Sequence, residues 1–322
     1  MNSSISSSRL LIASFFAAVS AVLILLTSAS EWLVRTQVAP QDTLARHVKL
    51  FAATSATEVA FGDSHIARGF DAQAPVVNLA YPSENIERMA WKAERYLERV
   101  PAPKAVLIQA DPHLFASYRI NEGLGEYPEM FSGNQNGALK AFSARYKPQL
   151  IGLWRSYFKN GGRIVSKIEM TSQGALLSPG DLSTWKPAGR ASFVRNRIVL
   201  HQPVENAAQT RTAALYKKMV QAFVDHGATV CLASLPVSPD YREAIANLDA
   251  EHQSAWEGMN EFFHELAEAP RVKFVDHRDA VSDLTQFRDP DHLNKEGAIA
   301  YSPQLQKACF DSWVDNQLTA FK

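Results

Sequence analysis

"FGDSHIARG", residues 61–69, is the stretch on which the reading of the whole chain turns. Val59, Ala60 and Phe61 close a short apolar run that reads as the end of a buried strand, and Gly62 opens a sharp turn behind it. Ser64 stands at the tip of that turn, where an α/β protein either exposes a nucleophile or caps the next helix. A serine hydroxyl is a poor nucleophile until a base takes its proton, so the question becomes whether a histidine and an orienting carboxylate follow.

Outward from this turn, short apolar runs alternate with helical patterns. Val59–Phe61 reads as the first strand, Pro75–Leu79 as the second, 104–110 as the third, and 228–237 and 271–276 as two more. Amphipathic helices are expected over 83–100, with Ser83 as N-cap, and over 207–226, 254–269 and 295–317. Such alternation predicts an α/β fold, a parallel sheet covered on both faces in three α/β/α layers. Residues 117–206, roughly ninety, lack the rhythm and read as an insertion or lid. Within them 137–146 and 148–160 look helical, and the aromatics, Trp154 and Trp185 among them, read as packing.

Nine histidines are available as the base. His47, His201 and His226 stand alone at linkers or helix ends, and His252 and His264 share one helical stretch; all five read as surface or satisfied core residues. His292 lies in "FRDPDHLNKEGAIAY", residues 287–301. There Pro290 keeps the preceding residues out of a helix and Asn294 can cap the closing one. Asp289 precedes His292 by three residues, so a tight turn brings its carboxylate to one imidazole nitrogen while the other faces outward.

The pairing of an early G-D-S with a late D-P-D-H-L-N-x-x-G resembles the SGNH/GDSL hydrolase superfamily. The resemblance covers about 55–115 and 207–317 and implies a flavodoxin-like three-layer α/β/α fold. It implies Ser64 as nucleophile, His292 as general base and Asp289 as the orienting carboxylate. Two positions depart from the family pattern. Ala80, in "NLAYP", stands where a glycine usually supplies an oxyanion-hole N–H. Asp111, in "QADPH", stands where an asparagine usually donates, and an ionised carboxylate cannot donate. Asp63, His65, Asn85 and His113 are the other candidate supporting residues, and Asp111 with His113 forms a D-x-H pair of its own.

The N-terminus narrows the resemblance. From Leu10 to Ser30 no residue is charged, 21 in all, against about 20 needed to cross a bilayer as a helix and about 7–15 in the apolar core of a signal peptide. Residues 1–30 are therefore read as an uncleaved single-pass anchor in the cytoplasmic membrane, 31–54 as a juxtamembrane segment with Trp32 at the interface or packed inside, and 55–322 as the globular body. Arg9 puts the N-terminus inside and the body on the periplasmic or outer side. With this anchor the chain resembles the membrane-bound SGNH proteins that act beside membrane-bound O-acyltransferases in acylating cell-surface polysaccharides. The implied activity is transfer of an acyl group, acetyl first, from a donor through Ser64 to a polysaccharide hydroxyl. The alternatives are a glycan or lipid esterase and a non-catalytic glycan-binding scaffold. With 33 basic and 33 acidic side chains and no basic run, a nucleic-acid partner is not expected. No phosphate loop or metal-ligand spacing is present, so neither cofactor nor metal is expected. Cys231 and Cys309 read as two independent buried cysteines.

Overall fold

The computed structural model describes residues 3–131, 140–142, 146–164 and 166–311. Most of the helix expected over 137–146, and the end of that expected over 295–317, lie outside the described residues. Nine strands are described: β1 (Glu58–Phe61), β2 (Val77–Asn78), β3 (Ala105–Gln109), β4 (Glu169–Met170), β5 (Leu176–Leu177), β6 (Thr229–Ser234), β7 (Val272–Asp276), β8 (Phe287–Asp289) and β9 (His292–Leu293). Five of them form a parallel sheet in the order β2-β1-β3-β6-β7, and the rest pair as two antiparallel hairpins, β4–β5 and β8–β9. The protein is thus α/β, mostly helical around one parallel sheet.

The apolar runs become strands because burial on both sides suits them. Every residue of β3, "AVLIQ", is buried, as expected of a parallel strand enclosed by the elements that connect its neighbours. Register places Val59 opposite both Val77 and Val106, and Leu107 opposite Cys231, so branched side chains stack across the sheet. From β1 the chain steps to β2 on one side and β3 on the other. The order therefore reverses between β1 and β3, and the crevice beyond their carboxyl ends is where such sheets bind ligands.

The helices start where polar side chains satisfy their first amides. Thr210, Asp249 and Asn294 cap Arg211–Asp225, Ala250–Ala267 and Lys295–Gln306. The cap of Ile86–Arg99 is not Ser83 but Asn85, whose Oδ1 accepts from the Arg88 amide at 2.9 Å. Ser83 instead turns the chain with a φ of 66°, outside the geometry of a cap. A helix the periodicity did not suggest, Pro239–Ala246, begins behind the Ser238 cap.

The cysteines are not independent. Cys231 in β6 and Cys309 in the turn Lys307–Asp311 form a disulfide with their Cα atoms 5.4 Å apart. Sequence spacing was silent on this, because only the return of the last helix to the buried side of β6 brings the two together.

By contacts the chain forms two units, Met1–Arg46 with Glu129–Ser166, and His47–Pro128 with Lys167–Lys322. The stretch 117–206, read as one insertion, is thus divided between them. The first unit carries the helix Ser3–Leu33, which overlaps a candidate span Leu11–Gln41 containing an 18-residue stretch of mean hydropathy 2.3. By length and composition it is apolar enough to cross a membrane, a description a signal sequence also meets. At its end Trp32 is half-exposed and meets the Tyr157 ring edge-on at 6.0 Å. The second unit holds the sheet and every residue of the site described next.

Candidate functional site

Ser64 leaves β1 as the first residue of the short helix Ser64–Gly69. The turn needs Gly62, because a Cβ there would lie 2.5 Å from Ile66 Cγ1 and 2.7 Å from Gln109 Oε1. That Gln109 oxygen accepts the Asp63 amide at 2.6 Å, which ties the turn to the end of β3. From the other side Asn78 in β2 donates to the carbonyls of Ile66 and Phe70. The helix bearing Ser64 is therefore held from both strands flanking β1.

His292 reaches Ser64 from the far end of the sequence. Its Nε2 lies 2.9 Å from Ser64 Oγ, and its Nδ1 lies 2.8 Å from Asp289 Oδ1. The tight turn expected between Asp289 and His292 is the hairpin β8–β9, in which the two residues face each other. The Ser238 amide bonds the Pro290 carbonyl at 2.9 Å, and Asn294 donates to Gly180 and Thr285, which pins the loop beside β6. In this arrangement the imidazole can accept the hydroxyl proton while the carboxylate holds the ring.

Asp63 lies beneath Ser64, fully buried. It accepts from the His65 amide at 2.9 Å, from Arg119 Nη2 at 2.7 Å and from His113 Nε2 at 2.9 Å. Burial by itself would raise its carboxyl; the adjacent His113 and Arg119 outweigh burial and hold it well below the usual range. Burial also lowers His113. The guanidinium of Arg119 stays charged and is the permanent positive partner of Asp63.

His65 stands between two carboxylates, with Nδ1 3.1 Å from Asp111 Oδ2 and Nε2 3.5 Å from Asp291 Oδ2. Burial disfavours its charge, yet the bonds to Asp111 and Asp291 prevail and push it up to about 10. Asp291 is buried without a hydrogen bond of good geometry, but Arg197 Nε lies 3.1 Å away and His292 Nδ1 3.5 Å away. Despite burial, the electrostatic influence of His292, the contact with His65 and the nearby His201 and Arg197 keep its carboxyl well below the usual range.

The supporting residues expected from sequence are placed as follows. The Ala80 amide donates to Asn78 Oδ1 at 3.0 Å and is engaged there. Asn85 caps its helix and donates to the Gly123 carbonyl, a structural role. Asp111 accepts from Gln109 and faces His65, so it acts on the histidine next to Ser64 and not as a donor. His113 buttresses Asp63.

Other site residues were not legible. His201, read as a surface or satisfied core histidine at a linker or helix end, closes the helix Pro187–His201, is buried against His113 with ring centroids 4.7 Å apart and faces the Tyr241 hydroxyl at 2.7 Å. Arg68, Arg119 and Arg197 line the cavity at Ser64, of about 480 Å³. No pattern around any of them signals a site; only Arg68, four residues after Ser64, carries a hint in its helical spacing. The fold also assembles Asp63, His65 and His113, and separately His65, Asp291 and His292, with ligand-type atoms within 4.8 Å of one another. Sequence spacing did not suggest these groups. Here their atoms face one another directly, at 2.9 Å for His113 and Asp63 and 3.5 Å for the two contacts of Asp291.

No protein-family model matches the chain, and no curated protein matches it. Among solved structures it is similar to "a putative platelet activating factor from Streptococcus pneumonia", with 13% identity and a TM-score of 0.36, over 89% of this chain and 98% of that one. Likeness at that level carries no argument about function.

Proposed function

We propose that the protein is an SGNH-type serine acyltransferase that works outside the cytoplasm and moves an acyl group, acetyl first, onto a hydroxyl of an exported or cell-surface polysaccharide. The observation that carries this reading is the chain of contacts from Ser64 Oγ to His292 Nε2 at 2.9 Å and from His292 Nδ1 to Asp289 Oδ1 at 2.8 Å. Its members come from opposite ends of the sequence and meet at the carboxyl edge of the sheet, where a nucleophile, base and orienting acid can act together.

Ser64 Oγ attacks the acyl carbonyl as its proton passes to His292 Nε2, and the carbonyl oxygen takes up the electron pair. The amide of Ser64, at the first position of its helix where backbone N–H groups lack an intrahelical acceptor, would donate to that oxygen. Collapse of the tetrahedral centre expels the donor's leaving oxygen, which takes the proton from His292, and an acyl-serine remains. A sugar hydroxyl then gives its proton to His292 as it attacks the ester, and the second collapse returns the proton to Ser64. Water in place of the sugar makes the same site an esterase. The Cys231–Cys309 disulfide supports a body outside the cytoplasm, because such bonds persist in oxidising compartments.

The test is fluorophosphonate labelling of the full chain in detergent, with the modified residue located by mass spectrometry. The adduct is expected on Ser64 and is lost in Ser64→Ala and reduced at least 100-fold in His292→Ala, on the scale of about 10²–10⁴ that a general base contributes. A folded protein that takes no label refutes the reading. With an acetyl donor and an oligosaccharide, an acetylated sugar marks transfer and free acetate alone marks hydrolysis.

A further inference from the structure

We propose that the Ser64 cavity is built for an acidic sugar, one bearing a carboxylate, sulfate or phosphate, and that Arg68 is the side chain that holds the acidic group. The inference rests on the reading of Ser64 as the acyl carrier and adds the class of its substrate.

The cavity presents three arginines beside Ser64 and His292. Two of them already face buried carboxylates, Arg119 with Asp63 at 2.7 Å and Arg197 with Asp291 at 3.1 Å. Glu122, also at the rim, is bonded to Arg88 at 2.9 Å, so it does not answer the third. Arg68 is the one left over: among the described residues it has no ion pair within 4 Å and no hydrogen bond, and its Nε is buried. A buried guanidinium N–H without an acceptor is costly, and a ligand in the cavity that accepts from it removes the cost.

Position favours the same conclusion. Ser64 and Arg68 are four residues apart on one helix, so their side chains leave the same face about 5–6 Å apart at Cβ. That spacing puts the guanidinium within one sugar ring of the hydroxyl. Burial lowers Arg68 and the like charge of Arg288 lowers it further, while the carboxylates of Asp289, Asp63 and Asp291 act in the opposite sense without forming an ion pair with it. The planar fork suits two parallel bonds to a carboxylate, sulfate or phosphate, which a neutral hydroxyl cannot match.

The experiment measures protection of Ser64 from the uncharged fluorophosphonate probe by added sugars, using the full chain in detergent. Methyl glucuronoside, glucose 6-sulfate and glucose 6-phosphate are compared with methyl glucoside and with inorganic sulfate and phosphate. At least one acidic sugar is expected to protect at a concentration about tenfold or more below that of the neutral one, the gain of a charge-assisted pair. The best protector then identifies which acidic group the site accepts. In Arg68→Gln the acidic and neutral sugars are expected to become equal, and in Arg68→Lys part of the preference returns. Equal protection in the wild type overturns the proposal, as does an acid preference that survives Arg68→Gln or inorganic anions that match the acidic sugars. Should Arg68→Gln fail to fold, the wild-type comparison decides alone. Calorimetric titration of methyl glucuronoside into wild type and Arg68→Gln reads anion binding without using Ser64. If Ser64 takes no label yet this binding is present and depends on Arg68, the acyl-transfer reading fails while the acidic site stands.

Discussion

At Asp63 a single carboxylate, invisible to solvent, gathers the amide of His65, the ring of His113 and the guanidinium of Arg119 into one base for Ser64. Breaking such a pair on one side strands a charge at a cost of about 3–5 kcal/mol, so this layer is rigid by necessity. His65 works in the opposite sense, as a cation between Asp111 and Asp291. Its folded-state value, about 10, lies above the 6.5 of a free imidazole. The proton bound at His65 therefore stabilises the fold fully below pH 6.5, and that stability drains away as pH rises toward 10. Urea unfolding across this window is expected to show stability falling with pH, and falling less steeply in His65→Gln. Parallel slopes for the two proteins would show that His65 is not charged in the fold.

Among the elements, the turn between β1 and the helix Ser64–Gly69 sets the geometry of everything near Ser64. Gly62 is required there for space: an alanine Cβ meets Ile66 and the Gln109 oxygen that receives the Asp63 amide. Gly62→Ala is expected to cost about 1–3 kcal/mol, typical of overpacking, and to slow Ser64 labelling by at least tenfold. Calorimetric melting with a labelling time course checks both. Labelling at the wild-type rate would mean that Ser64 is positioned by Asn78 and its bonds to Ile66 and Phe70 instead. The hairpin β8–β9 is the second decisive element, since it delivers Asp289 and His292 as a preformed pair.

On the scale of the molecule, one covalent link joins the sheet to the end of the described chain. The Cys231–Cys309 bond closes a loop of 78 residues, and by loop-closure entropy such a link contributes about 4.5 kcal/mol. Cys231→Ala/Cys309→Ala is expected to unfold at markedly lower denaturant and to be insensitive to reductant, while the wild type is destabilised by reductant. A midpoint equal to the wild type's would show that packing around β6 suffices. The helix Ser3–Leu33 makes a separate prediction. The full chain is expected to remain in the membrane pellet after alkaline carbonate with its N-terminus intact by mass. Recovery in the soluble fraction, shortened by about thirty residues, would identify a signal sequence instead.

Chain-local physics determined what the sequence disclosed. Strand–helix alternation signalled an α/β protein, the uncharged run Leu10–Ser30 signalled a long apolar helix, and Asp289 was paired with His292 because three residues of turn are enough to join them. Asn294 was legible as a cap for the same reason. Tertiary structure alone decided what depends on distance through space. It joined two cysteines 78 residues apart, engaged the Ala80 amide with Asn78, and carried Arg119, Arg197 and His201 to the carboxyl edge of the sheet from a stretch with no rhythm of its own. Local periodicity reports which face of an element is buried, whereas the partners of a buried charge are set by how the elements pack. The ring of Asp63, His65 and Asp291 therefore emerges only when β1, β3 and the β8–β9 loop converge.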